Sequence, residues 1–190
     1  MSIDILQDLL ERRHQTSLRR LGLPGPSSAE IGAMLASAGM APDHARILPW
    51  RLIVFTDVGR ERLASAFEAA LLQREPKATM EKIASIRAKA YGAPFLALAI
   101  LRLKDLAKDI TPLERAISLG AALQNMLLYS AASGYGAGLA SGSTLQSYNF
   151  RRELSITEDE EAICFIGVGT IKIDKPPRER PNADRYVVHI

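Results

Sequence analysis

From Ala116 to Phe150 the chain carries no charged residue, and this narrows what the whole can be. The first part of the stretch reads as a helix. Thr111-Pro112-Leu113-Glu114 combines an N-cap threonine, a first-turn proline and a capping-box glutamate. The following residues, to about Ser133, are apolar nearly all round, with Ile117, Leu119, Ala122, Leu123, Met126, Leu127 and Leu128 among them. A helix with no charged face is covered on all sides, by its own core or by another subunit. It does not read as a membrane span. Gln124, Asn125, several serines and five glycines interrupt the stretch, and a span needs roughly 18 continuous apolar residues.

Around this helix the pattern alternates. Ile3, Leu6, Leu9 and Leu10 mark a first helix ending near Arg13, and Ser27 with Glu30 forms a capping box ahead of a second through Ile31, Met34, Leu35 and Ala38. Leu63, Phe67, Ala70 and Leu71 mark a third. Met80, Ile83, Ile86 and Ala90 mark a fourth, stopped by Gly92 and Pro94. Continuous apolar runs at 52–55, 95–101 and 162–168 read as buried strands, and a short helix falls near 145–154. Strands separated by helices predict an α+β or α/β fold, a modest sheet covered by helices, in one domain spanning 1–190. The tail, about 172–190, is rich in proline and charge until the β-prone Tyr186-Val187-Val188. A domain of this length has no need of such an arm for its own core, so the arm is expected to wrap a partner subunit.

A net charge of +3 is a mild excess that suits anionic small ligands, and 6% aromatic content offers no stacking platform for nucleic acid. The single Cys164 forms no internal disulfide, and its apolar run makes it a core thiol rather than a nucleophile. The first ten residues hold two acids and no basic cluster, unlike a signal peptide. The expectation is a soluble, cytoplasmic protein.

Three segments can carry chemistry. Met40-Ala41-Pro42-Asp43-His44, followed by Pro49-Trp50, is a loop stiffened by two prolines, each fixing φ and removing a donor. It presents Asp43 and His44 to a ligand, or Asp43 simply closes a turn with His44 exposed. Arg12-Arg13-His14-Gln15-Thr16-Ser17 closes the first helix with two cations and several donors, as dipole-matched charges or as an anion cradle. Gly134-Tyr135-Gly136-Ala137-Gly138 follows a helix with G-x-G-x-G spacing, so it is no dinucleotide fingerprint. It reads as a helix cap running into a close backbone approach, against neighbouring structure or a flat ligand. The three histidines lie far apart without ligand-spaced partners, and no G-x-S-x-G elbow occurs, so neither a metal site nor a catalytic nucleophile is expected.

Taken together, residues 9–13, the 38–44 loop with Pro49-Trp50, the run from Ser133-Gly134-Tyr135-Gly136 to Ser141-Gly142, and Gly167-Val168-Gly169-Thr170 resemble the nitroreductase family, in particular its compact bacterial NAD(P)H nitroreductases. The resemblance spans nearly the whole chain. It implies the FMN-dependent nitroreductase fold: a central mixed sheet flanked by helices, in a homodimer with an exchanged C-terminal arm and the flavin at the interface. It further implies ping-pong hydride transfer from NADH or NADPH through FMN to a nitroaromatic, quinone or similar acceptor, with no membrane or nucleic-acid partner. Carried over residue by residue, the FMN contacts are Arg12, Arg13, His14, Met40, His44, Leu139, Ala140 and Ser141, with Arg178 and Arg180 of the tail for the phosphate. Arg13 and the glycine-rich turn would stabilise the flavin's negative charge.

The chain departs from the family at several of these places. His14 stands for serine, Met40 for a frequent arginine, Leu48 for glutamine, and Leu139-Ala140 for Trp-Arg, with Arg46 and Arg51 nearby as substitute cations. These departures leave two rivals: a flavin-binding storage or sensing protein with little turnover, and a cofactor-free protein that uses the uncharged helix only to dimerise.

Overall fold

The computed structural model describes residues 3–104, 109–176 and 179–190. Six α-helices and five strands are built from them, in the order α1 (Ile3–Arg12), β1 (Leu21–Gly22), α2 (Ser28–Ala38), β2 (Trp50–Val54), α3 (Asp57–Arg74), α4 (Met80–Ala88), β3 (Phe95–Arg102), α5 (Pro112–Ala132), β4 (Gly136–Ala140), α6 (Tyr148–Glu153) and β5 (Glu160–Ile171).

Local chemistry explains most of the boundaries. Ser27 and Thr111 cap α2 and α5 with the reciprocal Glu30 and Glu114 contacts of a capping box, as the sequence predicts. Thr56 and Thr79 cap α3 and α4 through their side-chain oxygens. Beyond α5 the chain reverses at Gly134, whose φ of 81° lies in the left-handed region open to glycine.

The sheet runs β1-β5-β3-β2, with β4 also paired to β5, and every strand ladder is antiparallel. Among the described residues, parallel pairing, which the expected mixed sheet requires, enters only through a bridge between Gln15 and Ala137. β3 lies in the middle and is buried on both faces, which is why it reads as one unbroken apolar run. Its alternate residues feed two cores. Phe95, Ala97, Ala99 and Leu101 pack with Met34, Trp50, Leu119, Leu123 and Met126 from α2, β2 and α5. Leu96, Leu98 and Ile100 pack with Leu63, Phe67, Phe150 and Phe165 on the side of α3 and α6.

Two expectations are corrected here. β1 and β4 add to the three expected strands: the glycine run is not only a helix cap and close approach but an edge strand. Tyr186-Val187-Val188 forms no strand, and every described residue of the tail is exposed. Within one chain α5 is covered on one side only, so of the two covers expected for it the chain's own core supplies a single face. Leu119, Leu123 and Met126 are buried, while Leu113 and Ile117 are 72% and 64% exposed on the opposite side. The apolar stripe of α1 is likewise open, with no residue of that helix buried.

Candidate functional site

The site grows from the segment that follows α1. Residues 13–17 leave the helix and lie along β4, where the Thr16 amide donates to the Ala137 carbonyl at 2.9 Å. The Gln15 side chain doubles this contact. Its amide nitrogen donates to the Leu139 carbonyl at 2.5 Å, and its oxygen accepts from the Leu139 amide at 3.1 Å. Such close contact needs Gly138: a Cβ there would sit 2.0 Å from the Thr16 carbonyl oxygen. The glycine run that hides β4 from a sequence reading is what lets the chain pass behind it.

Two cavities flank this segment. The first, of about 490 Å³, is basic. Arg13, His14, Arg19 and Arg20 line it from the body, Lys175 and Arg180 from the tail, and Leu139 with Ala140 from β4; Asp174 is the one acid among the described residues. The tail is pinned here by Arg180, which donates to the Arg13 carbonyl at 2.7 Å, and by Arg20, which donates to the Ile173 carbonyl at 3.1 Å. The Arg13 guanidinium is pushed below its ordinary pKa by burial and by the charge of Arg180. Two guanidinium groups that disfavour each other in this way are both relieved by an anion between them.

The second cavity, of about 720 Å³, is apolar at its base, where Phe67, Leu96, Leu145 and Phe165 are buried. Ser17, Ser141, Gly142, Ser143 and three cations, Arg19, Arg74 and Lys89, surround it. Ser17, Leu18, Arg19 and Ala140 line both cavities, so the two adjoin along these residues. Each has the size of an ordinary small-molecule site.

Of the sequence-predicted residues, Arg13, His14, Leu139, Ala140 and Arg180 meet in the basic cleft and Ser141 lines the apolar cavity. Arg12 does not join them: it is exposed and pairs at 2.6 Å with Asp8, one turn back on α1. Arg178 lies outside the described residues. Met40, 79% exposed, and His44 line neither cavity; His44 Nδ1 lies 3.2 Å from Glu114. Arg51 is no substitute cation, because its guanidinium is held in a fork by Glu160 at 2.6 and 2.9 Å.

Asp43 closes a turn. One of its carboxylate oxygens accepts from the Leu48 amide at 2.7 Å, and the other is buried with no partner among the described residues. That bond fastens a loop in which Ala45, Arg46 and Leu48 take positive φ values of 56°, 56° and 46°. Left-handed backbone at non-glycine residues is costly and persists only where neighbours enforce it. Pro49 and Trp50 provide the far anchor, both buried, with the indole N–H 3.3 Å from the Ser118 hydroxyl.

Sequence reasoning takes Gln15 and Thr16 only as donors beside Arg12-Arg13 and Phe67 only as a helix core residue, and it does not single out Arg19, Arg20, Arg74, Lys89 or Lys175. The Arg19-Arg20 pair was visible as a basic doublet, but nothing local ties it to the tail. Cys164 is buried and its thiol is pushed up to about 11 by burial, so no thiolate is available. Among the described residues no helix is long and apolar enough to cross a membrane.

A sequence model described as the nitroreductase family matches residues 13–170. YdjA of Escherichia coli (strain K12), which carries the name NAD(P)H nitroreductase, is 27% identical over 169 residues, 88% of each chain. The crystal structure of a nitroreductase-like family protein from Bacillus cereus superposes with a TM-score of 0.83 at 19% identity, covering 97% of this chain and 95% of that one. A variant of NfnB, described as an FMN and NADPH-dependent nitroreductase from Sphigopyxis sp. strain HMH, superposes with a TM-score of 0.74 at 16% identity, over 96% and 97% of the two chains.

Proposed function

The chain belongs to the nitroreductase family, and from that premise we propose that it is an FMN-dependent NAD(P)H oxidoreductase reducing nitroaromatic, quinone or similar acceptors. One observation carries the reading: a basic cleft adjoining an apolar cavity along Ser17–Arg19 and Ala140. FMN has the same two ends, a phosphate and a planar ring. Arg13, Lys175 and Arg180 supply charge-assisted donors for the phosphate, and Phe67, Leu96 and Phe165 supply a buried apolar base for the ring. Bound FMN supplies the hydride chemistry, taking electrons from the nicotinamide and delivering them to the acceptor in ping-pong order. The protein's own side chains bind, orient and exclude water. None is required as a nucleophile or proton donor.

The proposal includes a homodimer. The open stripes of α1 and α5 leave Ile3, Leu10, Leu113 and Ile117 to solvent, and a second copy would cover them. Met40 and His44, exposed and outside both cavities, then reach a flavin across that interface, and residues 183–190 wrap the partner. The single buried cysteine suits a reducing cytoplasm.

Titration of apoprotein with FMN and riboflavin tests the phosphate assignment. Arg13→Ala and Arg180→Ala should each weaken FMN about 10- to 150-fold, the loss of one charge-assisted hydrogen bond, while leaving riboflavin affinity unchanged. Stopped-flow reduction by NADH or NADPH, followed by a nitroaromatic or quinone, tests turnover. Flavin that bleaches without reoxidation indicates a storage protein, and protein that takes up no FMN refutes the reading.

A further inference from the structure

The apolar cavity carries more positive charge than a flavin ring accounts for. Arg19, Arg74 and Lys89 line it, and among the described residues no aspartate or glutamate does. Arg13, Lys175 and Arg180 belong to the other cleft, where a phosphate matches them, and Arg19 lines both. Arg74 and Lys89 face the apolar cavity alone. An isoalloxazine ring is uncharged when oxidised and carries one negative charge at most, so the cofactor's ring cannot match both cations.

Nothing among the described residues neutralises them fully. Glu75, 3.6 Å from Arg74, is also the partner of Lys82. Lys89 has no ion-pair partner among the described residues. The polar groups beside them, Ser17, Ser85, Ser141 and Ser143, are neutral. A cleft lined by one sign of charge over low-dielectric walls concentrates its field on whatever enters. Here those walls are Phe67, Leu96, Leu145 and Phe165, all buried. Arginine offers a planar fork matched to a carboxylate, and lysine a mobile point charge.

We propose that the acceptor this site selects is a planar aromatic molecule bearing a carboxylate or comparable anionic group, held by Arg74 and Lys89; this rests on the flavin reading above. Arg74 and Lys89 act in recognition and take no part in electron transfer. A neutral nitroaromatic fits the same apolar base but leaves both cations without a partner.

Calorimetric titration of the FMN-loaded protein with benzoate and with benzamide tests this, since the two probes share a shape and differ in charge. Benzoate should bind at least about tenfold more tightly in low salt, the scale of one charge-assisted hydrogen bond. The gap should narrow in high salt, because both cations are exposed. Arg74→Met and Lys89→Met should each reduce it severalfold, with 4-nitrobenzoate losing its advantage over 4-nitrobenzamide in kcat/KM in parallel. Equal affinities in the unsubstituted protein, or a gap that survives both substitutions, overturn the proposal. The flavin absorbance of each sample reports the parent reading separately. Colourless protein refutes that reading, whereas coloured protein with no preference for benzoate refutes this one alone.

Discussion

Gly138 offers the sharpest test of how the site is assembled. A methyl group added there would lie 2.0 Å from the Thr16 carbonyl oxygen and 2.9 Å from its carbonyl carbon. Both are main-chain atoms and cannot swing aside as a side-chain tip can, so Gly138→Ala must push residues 13–17 off β4. Overpacking of this kind costs about 1–3 kcal/mol. The displacement also strains three hydrogen bonds, from Thr16 to Ala137 at 2.9 Å and between Gln15 and Leu139 at 2.5 and 3.1 Å. At about 0.5–1.5 kcal/mol each, their partial loss adds roughly 1–2 kcal/mol. The total, about 2–5 kcal/mol, is a large share of a domain's usual 5–15 kcal/mol, roughly speaking. For a chain of this length, about 1 kcal/mol moves Tm by 2–4 °C, so the variant should melt at least about 4 °C lower. Because Arg13 and His14 enter the cleft on this same segment, FMN affinity should fall with stability. Urea denaturation followed by circular dichroism reads the first effect, and FMN fluorescence quenching reads the second. Gly134→Ala is the control. It meets nothing within 4 Å but sits at a φ of +81°, so it should cost about 1–2 kcal/mol through backbone strain alone and leave FMN affinity intact. A Gly138→Ala protein with an unchanged urea midpoint and unchanged FMN affinity refutes the close approach.

Other perturbations probe the frame around the site. The Arg51 fork, with lesser help from the Thr157 amide, holds the Glu160 carboxyl at about 2 against an ordinary value of 4.5. A depressed carboxylate stabilises the fold above the unfolded value, so this contribution, about 3 kcal/mol, should be complete at neutral pH and vanish as pH falls from 4.5 towards 2. Urea midpoints across that window should fall more steeply for the native protein than for Glu160→Gln. Asp43→Ala removes the acceptor for the Leu48 amide and should cost about 1–3 kcal/mol; tryptic cleavage after Arg46 should accelerate well beyond that of the native loop, and equal rates would show that the prolines alone hold it. Cys164, buried with its thiol pushed up to about 11, should react with a disulfide reagent only as fast as the protein opens, and rapid native labelling would contradict its burial.

What the sequence disclosed depended on how local the cause was. The caps of α2 and α5 are each decided within four residues, and both stand where Ser27-Glu30 and Thr111-Glu114 put them. β3 was equally open to reading, because helices on both faces leave only apolar side chains along it. β4 was not. Its glycines have weak strand preference, and it becomes a strand only through β5 on one edge and the Gln15-Thr16 segment on the other, partners distant in sequence. The basic cleft divides in the same way. Arg13 was found as part of an Arg-Arg doublet, yet its neighbour Arg12 is turned by helical phase to Asp8, four residues back. Lys175 and Arg180 reach the cleft because Arg20 and Arg13 present carbonyl-bonded anchors to a tail more than 150 residues away in sequence, at separations of 153 and 167. Met40 and His44 mark a different boundary. Both are exposed and line neither cavity, so nothing within one chain draws them to the site that the loop's sequence suggested. The candidate site therefore gathers where periodicity stops, at 13–19 and 139–143, because those segments have given up helical or strand side-chain burial and are free to turn donors and cations into a cavity. A chain read by periodicity alone is silent at those places, and the silence itself marks where a ligand can be held.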